Sequence, residues 1–125
     1  IEVQKMMPPG IEMIIGMTRD VQFGALIACG LGGIYVNLIK DVSFRLAHGL
    51  TRKEIENMVG ETKAATLLRG YRGSPPADIP ALVEAIGRTA RLCLDFPEIV
   101  ELDINPVFVY TEGLSALDIK ITISS

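Results

Sequence analysis

The sequence predicts an α+β domain, an antiparallel sheet with two main helices on one face. Three observations predict it. Apolar and polar residues alternate near both ends of the chain, as half-buried strands require. Two capped, amphipathic segments at 51–68 and 79–95 lie between those strand runs. The last quarter carries a hairpin turn signal, Thr111-Glu112-Gly113-Leu114. Strands grouped around clustered helices segregate into layers, unlike the strict alternation of βαβ units.

Taken in order, residues 1–6 read as a strand, and Pro8-Pro9-Gly10 turns it into the next. Over 11–18, Ile11, Met13, Ile15 and Met17 fall on one side, with Glu12, Ile14, Gly16 and Thr18 on the other. Residues 23–28 and 33–40 flank a glycine-rich turn, and 42–46 continue the second of them. Thr51-Arg52-Lys53-Glu54 is a capping box, in which the Thr hydroxyl accepts from a backbone N–H and Glu reaches back. It predicts a helix to Leu68 with Ile55, Met58, Val59, Thr62 and Ala65 inward, stopped by Gly70. After the loop 70–77, Asp78 caps a second helix with Pro80 in its first turn. Leu82, Ile86, Thr89 or Ala90, and Cys93 face inward, and the helix ends before Pro97. Strands at 99–102, 107–110 and 115–123 complete the order β-β-β-β-α-α-β-β-β.

Composition narrows the function. The 125 residues are 49% apolar and 22% charged, one globular domain's worth. A net charge of −3 excludes a domain built to grip nucleic acid or anionic lipid, which need a basic face. Cys29 and Cys93 stand far apart with no metal-ligand spacing, which fits a reducing, cytoplasmic compartment. A mean hydropathy of +0.36 predicts apolar surface that packs on something else. The chain opens at Ile1-Glu2-Val3-Gln4, inside an apparent strand and without an initiator Met, which predicts a piece of a larger protein. Residues 21–39 hold no charge, a length that a membrane-spanning helix would need. Gly24, Gly30, Gly32 and Gly33 within that run favour two buried strands around a turn, so no membrane partner is expected.

The final hairpin is where chemistry is expected. With Glu112-Gly113 as a two-residue loop, Tyr110 pairs with Ser115, Val107 with Asp118, and Asn105 with Lys120. Asn105, Asp118 and Lys120 then share one side, and Phe108, Tyr110, Leu117, Ile119, Ile121 and Ile123 form a core face. An amide oxygen beside a carboxylate suits Mg²⁺, which takes one or two protein oxygens plus phosphate and water. Spacing alone leaves open a plain polar face with a cross-strand Asp–Lys pair. The cluster Gly30-Leu31-Gly32-Gly33 reads as a tight turn, since neither a dinucleotide nor a Walker spacing is present. His48 has no evident catalytic partner, and Arg69, Arg72 and Arg88 read as solvated or paired. Met6, Met7, Met13 and Met17 have strand spacing and read as core, with an adenine pocket wall as the alternative.

Several segments together carry a family resemblance. They are Val3-Gln4-Lys5-Met6 with Gly10-Ile11-Glu12, Arg19-Asp20-Val21-Gln22-Phe23-Gly24, GLGGIYVNLIKDVSFRLA, LLRGYRG, and ELDINPVFV followed by Leu117-Asp118. Running from residue 3 to about 121, the chain resembles the second ATP-grasp subdomain of the ADP-forming acyl-CoA (acetate–CoA) synthetases, relatives of the succinyl-CoA synthetase beta subunit. The resemblance implies the C-terminal ATP-grasp subdomain over 1–125, working with ATP or ADP and Mg²⁺ in an enzyme that interconverts acyl-CoA, ADP and phosphate with acid, CoA and ATP through a phosphohistidine. It implies adenine contacts from Gln4, Lys5, Met6 and Met7, ribose near Glu12, and Mg²⁺ on Asn105 and Asp118. It also implies as partners a first ATP-grasp subdomain and CoA-binding and ligase parts that this chain lacks, with self-association possible and the chain inactive alone. Val21, Ala25, Asn37 and His48 depart from the family pattern. Asn37, where a Glu is usual, keeps a second reading in play: a non-catalytic ATP-grasp-like module, as in synthetase-like regions fused to protein acetyltransferases.

Overall fold

The computed structural model describes residues 10–32, 42–62, 64–70 and 75–124. The elements are β1 (Ile11–Asp20), β2 (Gly24–Leu31), β3 (Val42–Leu46), α1 (Arg52–Glu61), α2 (Ala64–Leu68), α3 (Ile79–Asp95), β4 (Ile99–Val109), β5 (Leu114–Ala116) and β6 (Ile119–Ile123). The expected strands 1–6 and 33–40 lie outside the described residues. The sheet is antiparallel in the order β3-β2-β1-β4-β5, and β6 also pairs with β4.

Period-two alternation in β1 buries Met13, Ile15 and Met17 while Gly16 and Thr18 face away. Residues Ala25, Ile27 and Cys29 of β2 join them. The helices close this face with Ile55, Met58, Leu68, Leu82, Ile86 and Cys93. Among the described residues the opposite sheet face carries no helix. The uncharged run does not form one helix: Val21–Phe23 are a turn and 24–31 a strand. Gly30 and Leu31 therefore belong to β2 and not to a turn, and no helix among the described residues is long and apolar enough to cross a membrane.

Two elements differ from expectation. The helix expected over 51–68 breaks at Thr62, whose N–H and hydroxyl both donate to the Val59 carbonyl while its ψ is 151°. Only half of the expected capping box forms: the Glu54 N–H donates to the Thr51 hydroxyl at 3.2 Å, while the Glu54 carboxylate goes to Arg45 instead of reaching back. The strands expected at 99–102 and 107–110 are one strand, β4, because Asn105 and Pro106 keep ladder bonds to the hairpin's return strand. On the other side β1 pairs Met13 with Val107 but Ile15 with Ile104, so β4 carries an extra residue there. Pro106 has no N–H to give β1, which suits it to such a bulge. The bulge reverses the inward side of β4. Leu102 points to the core before it, and Val107 and Val109 after it. Phe108 and Tyr110 are consequently not core residues, contrary to expectation, and Leu117, Ile119, Ile121 and Ile123 are 47–65% exposed on a sheet edge the helices do not reach.

Candidate functional site

The hairpin register decides which polar side chains meet. Val107 pairs with Ala116, Phe108 with Ser115, and Val109 with Leu114. The turn is thus Thr111-Glu112, closed by the Tyr110 N–H to the Gly113 carbonyl at 2.9 Å, and not Glu112-Gly113. The reason is tertiary: the Asp78 carboxylate accepts the Gly113 N–H at 2.7 Å and holds this glycine, at φ +81°, just past the turn. Asn105 now stands opposite Asp118, its N–H donating to the Asp118 carbonyl at 3.1 Å, and Lys120 stands opposite Asp103. The shift is by two residues, so the shared side survives although the partners change.

Around this pair the faces follow by alternation. Ile104 packs against the core, and its partner Ile119 points to the same side of the sheet but stays exposed. Asn105 and Asp118, one residue on, are exposed and belong to the open face. The same face carries Glu101 and Asp103 on β4, and Lys120 and Thr122 on β6. An amide oxygen and a carboxylate facing each other on one rung form a donor set that fits Mg²⁺ and leaves most of its shell for phosphate and water. Among the described residues no group of three or more His, Cys, Asp or Glu is placed to hold a metal, so any such ion depends on oxygens from a ligand.

A five-strand rung crosses the open face beside that pair. Phe44 pairs with Ala28, Ala28 with Gly16, Gly16 with Asp103, and Asp103 with Lys120. The small residues in its middle leave a trough of about 400 Å³ with Phe44 and Leu26 at one end and Asp103 and Lys120 at the other. Sequence reading missed Gly16, Phe44 and Asp103, since partners on five strands leave no local signal. Glu12 is on the open face too, opposite Phe108 and beyond the bulge from Gly16. Its carbonyl accepts the Gly32 N–H at 2.8 Å. Gln4, Lys5, Met6, Met7 and Asn37 lie outside the described residues.

Several residues position this face. Asp78 caps α3 through the Ala81 N–H at 3.0 Å while binding Gly113, so one carboxylate joins the helix to the hairpin. Arg19 donates to the Cys93 carbonyl at 2.8 Å and the Ile99 carbonyl at 2.9 Å, fastening the end of α3 to the start of β4. Arg45 on β3 binds Glu54 and Glu61 of α1, and Ser43 donates to Glu61 at 2.8 Å. The Arg45 and Ser43 hydrogen bonds hold the Glu61 carboxyl below its ordinary range, and the two carboxylates raise Arg45. Burial pushes the Cys93 thiol up, partly opposed by Arg19, so Cys93 is not an activated nucleophile. His48 is exposed on a loop, and Arg88 is paired with Glu84 at 2.8 Å.

Residues 1–123 match the family described as the ATP-grasp domain. The chain is 49% identical over 121 residues to acetate–CoA ligase (ADP-forming) I of Archaeoglobus fulgidus, covering 97% of this chain and 18% of that protein. It is 45% identical over 118 residues to the beta subunit of acetate–CoA ligase (ADP-forming) I of Pyrococcus furiosus, covering 94% of this chain and 50% of that subunit. Among solved structures, a dinucleotide forming acetyl-coenzyme A synthetase 1 from Ca. Korarchaeum cryptofilum, in complex with coenzyme A and Mg-AMPPCP, superposes with a TM-score of 0.88 at 45% identity. That match covers 94% of this chain and 55% of the solved one. The chain therefore spans half or less of these two curated relatives.

Proposed function

Because the chain belongs to the ATP-grasp domain family, we propose that it is the nucleotide- and Mg²⁺-binding half of an ADP-forming acyl-CoA ligase. On this reading its 125 residues are the C-terminal ATP-grasp subdomain of a larger, cytoplasmic enzyme. A first ATP-grasp subdomain and CoA-binding and ligase parts, in the same chain or a partner subunit, supply the rest of the reaction. The ligase interconverts acyl-CoA, ADP and phosphate with acid, CoA and ATP, the phosphoryl group passing through a histidine outside these residues.

The observation that carries the reading is the Asn105–Asp118 pair, held opposite each other on the open face by a backbone hydrogen bond of 3.1 Å. These two side chains would hold Mg²⁺, Glu12 would meet the ribose, and Gln4–Met7 would meet the adenine. When bound, the metal would supply positive charge that neutralises the phosphates. The chain's own part is placement. A ladder anchored by Asp78 sets the two oxygens, and the open face receives the nucleotide that the first subdomain covers. Intact Asn105 and Asp118 favour a catalytic module over a silent one.

The test is Mg²⁺-dependent nucleotide turnover by the full-length ligase, wild type against Asp118→Asn. Turnover is expected to fall sharply, because the variant loses the charged member of the pair. The melting temperature should stay within about 2 °C, as for other exposed surface changes. Equal rates would remove the metal assignment.

A further inference from the structure

We propose that Lys120 is the residue that recognises the terminal phosphate of the nucleotide, so that this strand distinguishes a nucleoside triphosphate from a diphosphate. The proposal rests on reading Asn105 and Asp118 as the phosphate-side pair.

Three groups on the open face lie in a fixed order along the strands. Glu12 sits opposite Phe108, three residues along β4 from Asn105. At strand rise this is about 10 Å. On the other side of Asn105 and Asp118, by two residues or about 7 Å, comes the rung of Gly16, Asp103 and Lys120. A nucleotide with its ribose at Glu12 and its phosphates over the pair therefore runs toward Lys120, and its last phosphate lies nearest to that residue. A lysine stem reaches about 6 Å, enough to bring the ammonium back over the rung it adjoins.

The surroundings of Lys120 fit a side chain that awaits an anion. It is exposed, and among the described residues it is the one cationic side chain lining the trough. Arg19 and Arg45 point to the helix side of the sheet, bound to two carbonyls and to Glu54 and Glu61, and do not serve this face. Lys120 forms no ion pair among the described residues, although Asp103 faces it across the ladder and Asp118 precedes it by two. Beyond Asp103 on the same rung, Gly16 leaves the sheet without a side chain. A Cβ there would meet only the Leu102 carbonyl, at an ordinary 3.6 Å, so packing inside the chain does not demand glycine. Glycine inside a strand weakens it and marks places where a ligand or another backbone comes close. The trough floor at Gly16, one strand beyond Asp103, is thus open to a bulky group within reach of the Lys120 stem.

The experiment measures equilibrium binding of AMPPCP, ADP and AMP to the full-length ligase by calorimetry, with and without Mg²⁺. For Lys120→Met the expected result is at least about tenfold weaker AMPPCP binding, the scale of one lost charged hydrogen bond. ADP and AMP should change by less than about threefold, well under that scale. Lys120→Gln, which keeps a polar side chain of similar length, should behave as Lys120→Met does. Lys120→Arg should retain AMPPCP affinity, because either cation serves a phosphate. Equal weakening of all three nucleotides, or no weakening, overturns the proposal, as does failure of arginine to rescue. Asp118→Asn is the separate arm for the metal reading, and should abolish the Mg²⁺ dependence of AMPPCP binding. If that dependence survives while Lys120→Met still selects against AMPPCP, the metal pair falls and Lys120 stands. The opposite pattern removes Lys120 and leaves the pair.

Discussion

Gly32 shows how a single residue can be required by a close approach. It lies where β2 ends and donates its N–H to the Glu12 carbonyl. A Cβ there would come within 3.1 Å of the Met13 carbonyl oxygen and 3.2 Å of the Glu12 Cγ. The glutamate side chain can turn away, whereas the backbone oxygen cannot. Gly32→Ala should therefore cost about 1–3 kcal/mol, the usual range for inserted atoms in a packed site. It should also displace Glu12 and weaken nucleotide binding. Thermal melts read the first effect, and an unchanged melting temperature would show that the strand end yields freely. Gly24 and Gly113, in contrast, have open space around them and are demanded by φ values of +82° and +81°.

At the scale of the element, the joint between β3 and α1 is electrostatic as well as apolar. Arg45 and Ser43 both bind Glu61, and their hydrogen bonds lower the pKa of that carboxyl. A carboxyl whose folded value lies below its unfolded one stabilises the fold above the unfolded value. That contribution is lost as pH falls through the folded value. Wild type should thus melt higher than Glu61→Gln near neutrality, with the difference shrinking as pH drops below the ordinary carboxyl value of 4.5. Paired melting curves from about pH 7 to pH 3 measure it, and a constant gap across that range would mean Glu61 acts without its charge. The joint lies just before the helix break at Thr62, where the chain leaves α1 extended and restarts as α2.

The whole molecule has one finished side and one unfinished edge. Helices bury one sheet face, but Leu117, just before β6, and Ile119, Ile121 and Ile123 of β6 are left between 47% and 65% exposed, and β6 pairs only with β4 among the described residues. An apolar row beside unpaired strand edges invites another chain. The isolated 125-residue chain should therefore associate as its concentration rises, by light scattering behind a sizing column. Ile121→Thr together with Ile123→Thr should shift that association to higher concentration, since both sit on the exposed row. A chain that stays monomeric at millimolar concentration would contradict it. The mean hydropathy of +0.36 signalled such a surface. The structure puts it on the β6 edge, where the bulge in β4 and the short helix layer leave it uncovered.

What the sequence determined by itself is what local physics controls. Alternation in 11–18 set the buried face of β1, the caps at Thr51 and Asp78 set the starts of α1 and α3, and Gly70, at φ +95°, sits just past the end of α2. Parity also put Asn105, Asp118 and Lys120 on one side before any partner was known. The tertiary structure decided which of them are neighbours. Asp78 holds Gly113 from 35 residues away and thereby sets the turn and its register. At Asn105-Pro106 β4 carries one more residue than β1 across the ladder, so its inward side changes there, a pairing that appears only when the two strands are brought together. Register between strands is a contest among distant contacts, and those contacts exist only once the chain has closed around its core.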